Sequence, residues 1–138
     1  MQLGHNSKID LIKRVPLFSS APKSELAQIA SIADEIDFPA GKVLIKEGDS
    51  GREFIVLIEG TADVERDGGK VATIGPGDFV GEIALIAKTP RNATITTTSP
   101  VRALVITDRA FRQLLERSPE IAVVILTALA ERLAPSSI

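Results

Sequence analysis

Asp67-Gly68-Gly69-Lys70-Val71-Ala72-Thr73-Ile74-Gly75-Pro76-Gly77-Asp78-Phe79-Val80-Gly81-Glu82 carries the signals that decide how the middle of this chain folds. Asp67-Gly68 is a hairpin turn pair, because glycine accepts a positive φ without steric cost. Val71-Ala72-Thr73-Ile74 is a strand-length run rich in branched residues, and Pro76-Gly77 fits the centre of a type II turn.

The same cadence extends in both directions, from Glu35 to Thr107. Pro39-Ala40-Gly41, Gly48-Asp49-Ser50-Gly51, Gly60 and Ser99-Pro100 punctuate it, with Val43-Leu44-Ile45 and Phe54-Ile55-Val56-Leu57-Ile58 between them. Short strands at such spacing predict a sandwich or barrel. Phe54 to Ile58 is apolar throughout, which predicts a strand covered on both faces.

Helices flank this region. A short one is expected from Ser7 to Arg14, ended by Val15-Pro16. Leu26, Ile29, Ala30 and Ala33 recur at helical spacing, with Pro22 suited to a first turn. Thr107 or Asp108 can cap a helix carrying Phe111, Leu114 and Leu115. Ser118-Pro119-Glu120 then restarts a helix that ends near Leu133, its hydroxyl, proline and acid each suited to a helix start. The apolar run from Ile121 to Ala130 is shorter than the roughly 20 residues a membrane span requires, and is expected to be buried on more than one face. No repeat, low-complexity tract or dividing linker interrupts 1–138, so one domain is expected. Its parts are helices over about 7–33, strands over about 35–107 and helices over about 108–133.

Bulk properties narrow the function. The chain has 138 residues, 44% apolar and 25% charged, within the range of one ordinary globular domain. A net charge of −2 gives no general attraction to nucleic acid or an anionic membrane, and the N-terminus lacks the pattern of a secretory signal. Without cysteine there is no disulfide or thiolate metal site, and the compartment reading leans to the cytosol. Gly48-Asp49-Ser50-Gly51 superficially resembles a hydrolase nucleophile segment, but the sole histidine, His5, lies in the N-terminal tail and supplies no base. A turn is the better reading. The same shortage of histidine and cysteine opposes a metal-dependent cupin enzyme, and no dense acidic loop suggests Mg²⁺ or Ca²⁺. No catalytic residues, no metal and no cofactor are therefore expected.

The chemistry concentrates between Gly77 and Thr94. Arg91 offers a planar guanidinium able to meet two oxygens of a phosphodiester. Asn92 and Ala93 add backbone donors, and Ile83 to Ala87 reads as one helical turn whose first amides, at Ile83 and Ala84, suit an anion. Glu82, an acceptor when ionised, needs a donor such as a ribose 2′-hydroxyl, and Gly81 lets the backbone approach a sugar closely.

Gly77-Asp78-Phe79-Val80-Gly81-Glu82-Ile83-Ala84-Leu85 through Pro90-Arg91-Asn92-Ala93-Thr94 resembles the cyclic nucleotide-binding domain of cAMP-dependent kinase regulatory subunits, gated channels and the bacterial catabolite activator group. Val15-Pro16-Leu17-Phe18, Glu47-Gly48-Asp49 and Ile58-Glu59-Gly60 extend the likeness over nearly the whole chain. The resemblance implies a mainly β fold, an eight-stranded β-roll (jelly-roll-like) with N-terminal helices and two C-terminal helices. It implies that Glu82 holds the ribose hydroxyl and Arg91 the cyclic phosphate, with Gly81 and backbone groups at Ile83, Ala84, Asn92 and Ala93 completing a cassette over 77–94. It also implies a non-catalytic regulatory domain that binds cAMP, the commoner bacterial ligand, and moves its C-terminal helices. Leu126, Leu129 and Leu133 are candidates to cap the base or simply to pack.

Asn92 departs from the family pattern. Members selective for cGMP commonly carry threonine after the arginine, and cAMP binders alanine or serine, so a cGMP preference stays open. A degenerate domain serving as a dimerisation or interaction module is the alternative of another class. The chain shows no basic recognition helix before Ile138, so a sensor is expected whose output lies in a second copy, an attached effector or a partner.

Overall fold

The computed structural model describes residues 5–81 and 87–133 and divides them between two compact units. One spans Ala33–Phe111 and holds eight strands: β1 (Asp34–Phe38), β2 (Val43–Ile45), β3 (Glu53–Glu59), β4 (Ala62–Arg66), β5 (Gly69–Ile74), β6 (Phe79–Val80), β7 (Thr94–Thr97) and β8 (Val101–Thr107). They form two four-stranded antiparallel sheets, ordered β1-β8-β3-β6 and β2-β7-β4-β5. The expected mainly β, eight-stranded roll with helices before and after it is the fold observed.

Alternation along the strands builds the core. Ile55, Leu57, Val80, Val101 and Ala103 from the first sheet meet Ile45, Ala62 and Ile95 from the second. The opposite face of the first sheet is also apolar: Phe54, Val56, Leu104 and Ile106 are buried, and the Phe54 ring stacks on Phe111 with centroids 4.7 Å apart. Phe54 to Leu57 are all buried, so β3 is covered on both faces as its composition predicts. Each fully buried side chain of this size contributes about 1.5–3 kcal/mol.

The turns take their expected forms. Asp67 and Gly68 both have positive φ (54° and 80°), the two-residue turn that matches strand twist, and it joins β4 to β5. Asp78 N–H donates to the Gly75 carbonyl at 3.0 Å across Pro76 and Gly77, and the Asp78 carboxylate accepts from Gly75 N–H at 2.8 Å. On β8, Arg102 bonds Asp37 at 3.0 Å, and that bond, then the charges of Asp37, Glu59 and Glu35, pushes the Arg102 pKa up, so its guanidinium stays charged.

The second unit spans Met1–Ile32 and Arg112–Ile138. Its first helix, α1 (His5–Arg14), is followed by a 3-10 turn at Pro16–Phe18 and by α2 (Lys23–Ile32). Two later helices, α3 (Asp108–Arg117) and α4 (Pro119–Leu133), begin where the sequence places caps. Thr107 Oγ1 accepts from Ala110 N–H at 3.2 Å, and Ser118 Oγ accepts from Ile121 N–H at 3.3 Å. Ser118 is buried and donates to Glu25 of α2 at 2.8 Å, which ties the start of α4 to an earlier helix of the same unit.

One expectation is corrected here. The run Ile121 to Ala130 is not buried on more than one face: Ile121 and Ile125 are buried, but Val123 and Leu126 are 59% and 60% exposed. Its composition concealed this, because small and branched residues fill both faces of the helix alike. Of the candidate base-capping leucines, Leu126 is exposed, Leu129 is half-buried, and Leu133's side chain lies outside the description.

Ser118→Ala removes both the cap and the donor to Glu25, whose other carboxylate oxygen is already buried without a partner. We expect a loss of about 1–2 kcal/mol, read as a lower urea midpoint with an unchanged m-value. An unchanged midpoint would show that the cap contributes nothing.

Candidate functional site

Arg91 sits between the turn after β2 and the end of β6. Its backbone is held first: Arg91 N–H donates to the Asp49 carbonyl, and Gly48 N–H donates to the Arg91 carbonyl, both at 2.8 Å. Ser50 forms a bridge with Pro90 beside them, so Gly48-Asp49-Ser50-Gly51 is a turn docked on the arginine's segment.

The guanidinium is 6% exposed as a residue and donates in two directions. Nη1 meets the Gly81 carbonyl at 2.9 Å and Nη2 the Glu53 carbonyl at 2.7 Å. The Glu53 carboxylate, 43% exposed, lies 3.9 Å from Nη2. A buried cation is tolerated only when its donors are met and a counter-charge is near, and these partners supply both.

Gly81 makes the arrangement sterically feasible. Its φ is 97°, and a Cβ placed there would stand 2.6 Å from the Glu53 carbonyl oxygen and 2.7 Å from Arg91 Nη1. The glycine expected to admit a sugar thus makes room for the arginine in this structure.

Beside Arg91 lies an open cavity of about 380 Å³, at the small end of ligand pockets. Leu44 and Ile45 give it an apolar wall, Ser50 a hydroxyl, and Lys46, Arg52 and Arg91 face the acids Asp49 and Glu53. Among the described residues of the lining, three cations stand against two carboxylates.

Of the residues singled out in the sequence, Arg91 lines this cavity, Gly81 bonds its guanidinium, and Asn92 and Ala93 follow it in the chain. Ala93 is buried, and Asn92 is exposed with its carbonyl accepting from Arg66 Nε at 2.9 Å. Glu82, Ile83 and Ala84 lie outside the described residues, as does most of the helical turn expected at Ile83 to Ala87. Sequence reasoning missed Glu53, Arg52, Lys46 and Arg66. The contribution of Glu53 comes largely through its main-chain carbonyl, which no residue identity announces. Among the described residues no cluster of histidine, aspartate or glutamate could hold a metal ion. No helix among them is long and apolar enough to cross a membrane.

A two-sheet roll with a cavity of about 380 Å³ at the mouth of a buried arginine is the architecture of a small-ligand binding domain. The chain belongs to the cyclic nucleotide-binding domain family, whose profile matches residues 35–118. It is 35% identical over 106 residues to a cAMP-dependent protein kinase regulatory subunit of Schizosaccharomyces pombe, an alignment covering 76% of this chain and 26% of that protein. The chain thus spans about a quarter of the length of the curated relatives it matches. Among solved structures it superposes on cAMP-bound PfPKA-R with TM-score 0.83 and 27% identity, covering 95% of this chain and 45% of that one. The catabolite activator protein of Thermus thermophilus gives TM-score 0.79 and 26% identity, covering 88% and 59%. Kinship with regulatory subunits makes the chain a non-catalytic domain. Fungal and bacterial proteins both appear among the matches and the fungal ones predominate, so a bacterial source finds no support.

Gly81→Ala forces a Cβ against the Glu53 carbonyl and the guanidinium, at a φ that L-residues rarely adopt. We expect a loss of about 1–3 kcal/mol in stability, measured as a lower thermal midpoint. A midpoint equal to the parent's would mean that the guanidinium is not held where it is described.

Proposed function

We propose that this domain binds cAMP, that Arg91 meets the cyclic phosphate and that Glu82 accepts a hydrogen bond from the ribose 2′-hydroxyl. Gly81 and backbone groups at Ile83, Ala84, Asn92 and Ala93 complete the contacts. The observation that carries the reading is the buried, pre-positioned guanidinium of Arg91 at the edge of a cavity that Lys46 and Arg52 also line. A cyclic nucleotide brings one negative charge, which the Arg91 guanidinium is suited to meet.

The domain 1–138 acts as one regulatory module in the cytosol. Ligand shifts the C-terminal helices by its differential affinity for two arrangements, and a second copy or an effector reads the shift. A second reading, a domain kept for protein contact, draws on the exposed apolar residues Val123 and Leu126 of α4.

Isothermal titration of the chain with cAMP, cGMP and linear AMP tests these directly. Saturable heat with cAMP, weaker with cGMP and weakest with linear AMP, is the expected result. No saturable heat with either cyclic nucleotide would favour the contact module, and a tighter fit to cGMP would reassign the base preference. Arg91→Lys keeps the charge but loses the two-pronged donor, and should weaken cAMP by about tenfold or more. Glu82→Ala should erase discrimination between cAMP and its 2′-deoxy analogue; retained discrimination would remove Glu82 from the sugar site.

A further inference from the structure

We infer that Arg66 is a positioning residue for the phosphate-binding segment, acting through a closed ring of hydrogen bonds between the β4–β5 hairpin and the loops at the site. The inference rests on the cyclic nucleotide reading above and names a residue outside the cassette.

Strand β4 lies between β5 and β7, with Glu65 opposite Thr94, so Arg66 at its end stands alongside the start of β7. From there Arg66 Nε donates to the Asn92 carbonyl at 2.9 Å. The next residue, Asp67, donates its N–H to Glu47 Oε1 at 3.1 Å. Glu47 in turn donates its own N–H to Thr94 Oγ1 at 3.0 Å. Three bonds thus join the hairpin, the loop after β2 and the Arg91–Thr94 segment into one circuit. Glu47's neighbour Gly48 holds the Arg91 carbonyl, so the circuit abuts the arginine's own anchorage.

The consequence follows from peptide geometry. The Asn92 carbonyl and the Ala93 N–H belong to one planar trans unit and point in opposite directions. Fixing the oxygen therefore fixes the direction of the N–H, one of the donors assigned to the phosphate. A cationic donor on the carbonyl also polarises that amide and strengthens its N–H as a donor. Asp67 and Gly68, both at positive φ, set the turn that brings Arg66 and the Asp67 N–H to bear on the two loops at once.

The test compares the parent chain with Arg66→Met, Arg66→Lys, Glu47→Ala and Lys70→Met, by titration with cAMP and by amide hydrogen exchange of residues 91–94 without ligand. Lys70 lies on β5 beside Asp63 and outside the circuit, so its variant serves as the control. Arg66→Met should bind cAMP about three- to tenfold more weakly and exchange faster over 91–94, the range for one charge-assisted bond at an exposed site. Arg66→Lys, which keeps a cationic donor, should recover much of both, Glu47→Ala should repeat the faster exchange, and Lys70→Met should match the parent. Parent-like affinity and exchange in Arg66→Met would overturn the inference while leaving cAMP binding intact. A parent chain that fails to bind cAMP would overturn the functional reading, and unchanged exchange would then overturn the latch on its own terms.

Discussion

A guanidinium withdrawn from water is the constraint on which this site depends. Removing such a charge from solvent costs several kcal/mol unless its donors are satisfied and a counter-charge is close. Arg91 meets the demand with two main-chain carbonyls, from Gly81 and Glu53, and a partly exposed carboxylate at 3.9 Å. Carbonyls are dipoles rather than charges. They hold the guanidinium in place without themselves neutralising its charge.

That solution propagates into the fold. The Glu53 carbonyl is available because β3 begins there, and β3 is fixed by apolar side chains on both of its faces. The Gly81 carbonyl is available because β6 has just ended its short pairing with β3 through Ile55 and Val80. The arginine's own backbone is set by the Gly48-Asp49 turn rather than by either sheet. Three chain segments, distant in sequence, therefore converge on one side chain, and the core of the roll keeps them in register.

The sequence made the roll legible because its cues are local. Asp67-Gly68 and Pro76-Gly77 specify turns whatever surrounds them, and Ser118-Pro119 specifies a helix start. Arg91 is legible as a candidate phosphate ligand because its chemistry belongs to its side chain. Glu53 and Arg66 are not, since one works mainly through a carbonyl that any residue possesses and the other through a register visible only when β4 and β7 are paired. The exposed face of α4 was misread for a related reason: hydrophobicity reports what a residue tolerates, whereas burial reports what covers it.

The Glu53 carboxylate bears on how an incoming anion is received. Beside the cavity it offsets part of the guanidinium's charge, and an arriving anion would compete with it. The competition is mild. Glu53 is 43% exposed and 3.9 Å away, so solvent screens the pair and its loss forfeits little, on the order of 1 kcal/mol or less. The carbonyl bonds, at 2.9 and 2.7 Å and part-buried, hold the guanidinium more firmly. The carbonyl contacts, costly to lose, keep the arginine in place, and the contact to the Glu53 carboxylate is cheap to give up.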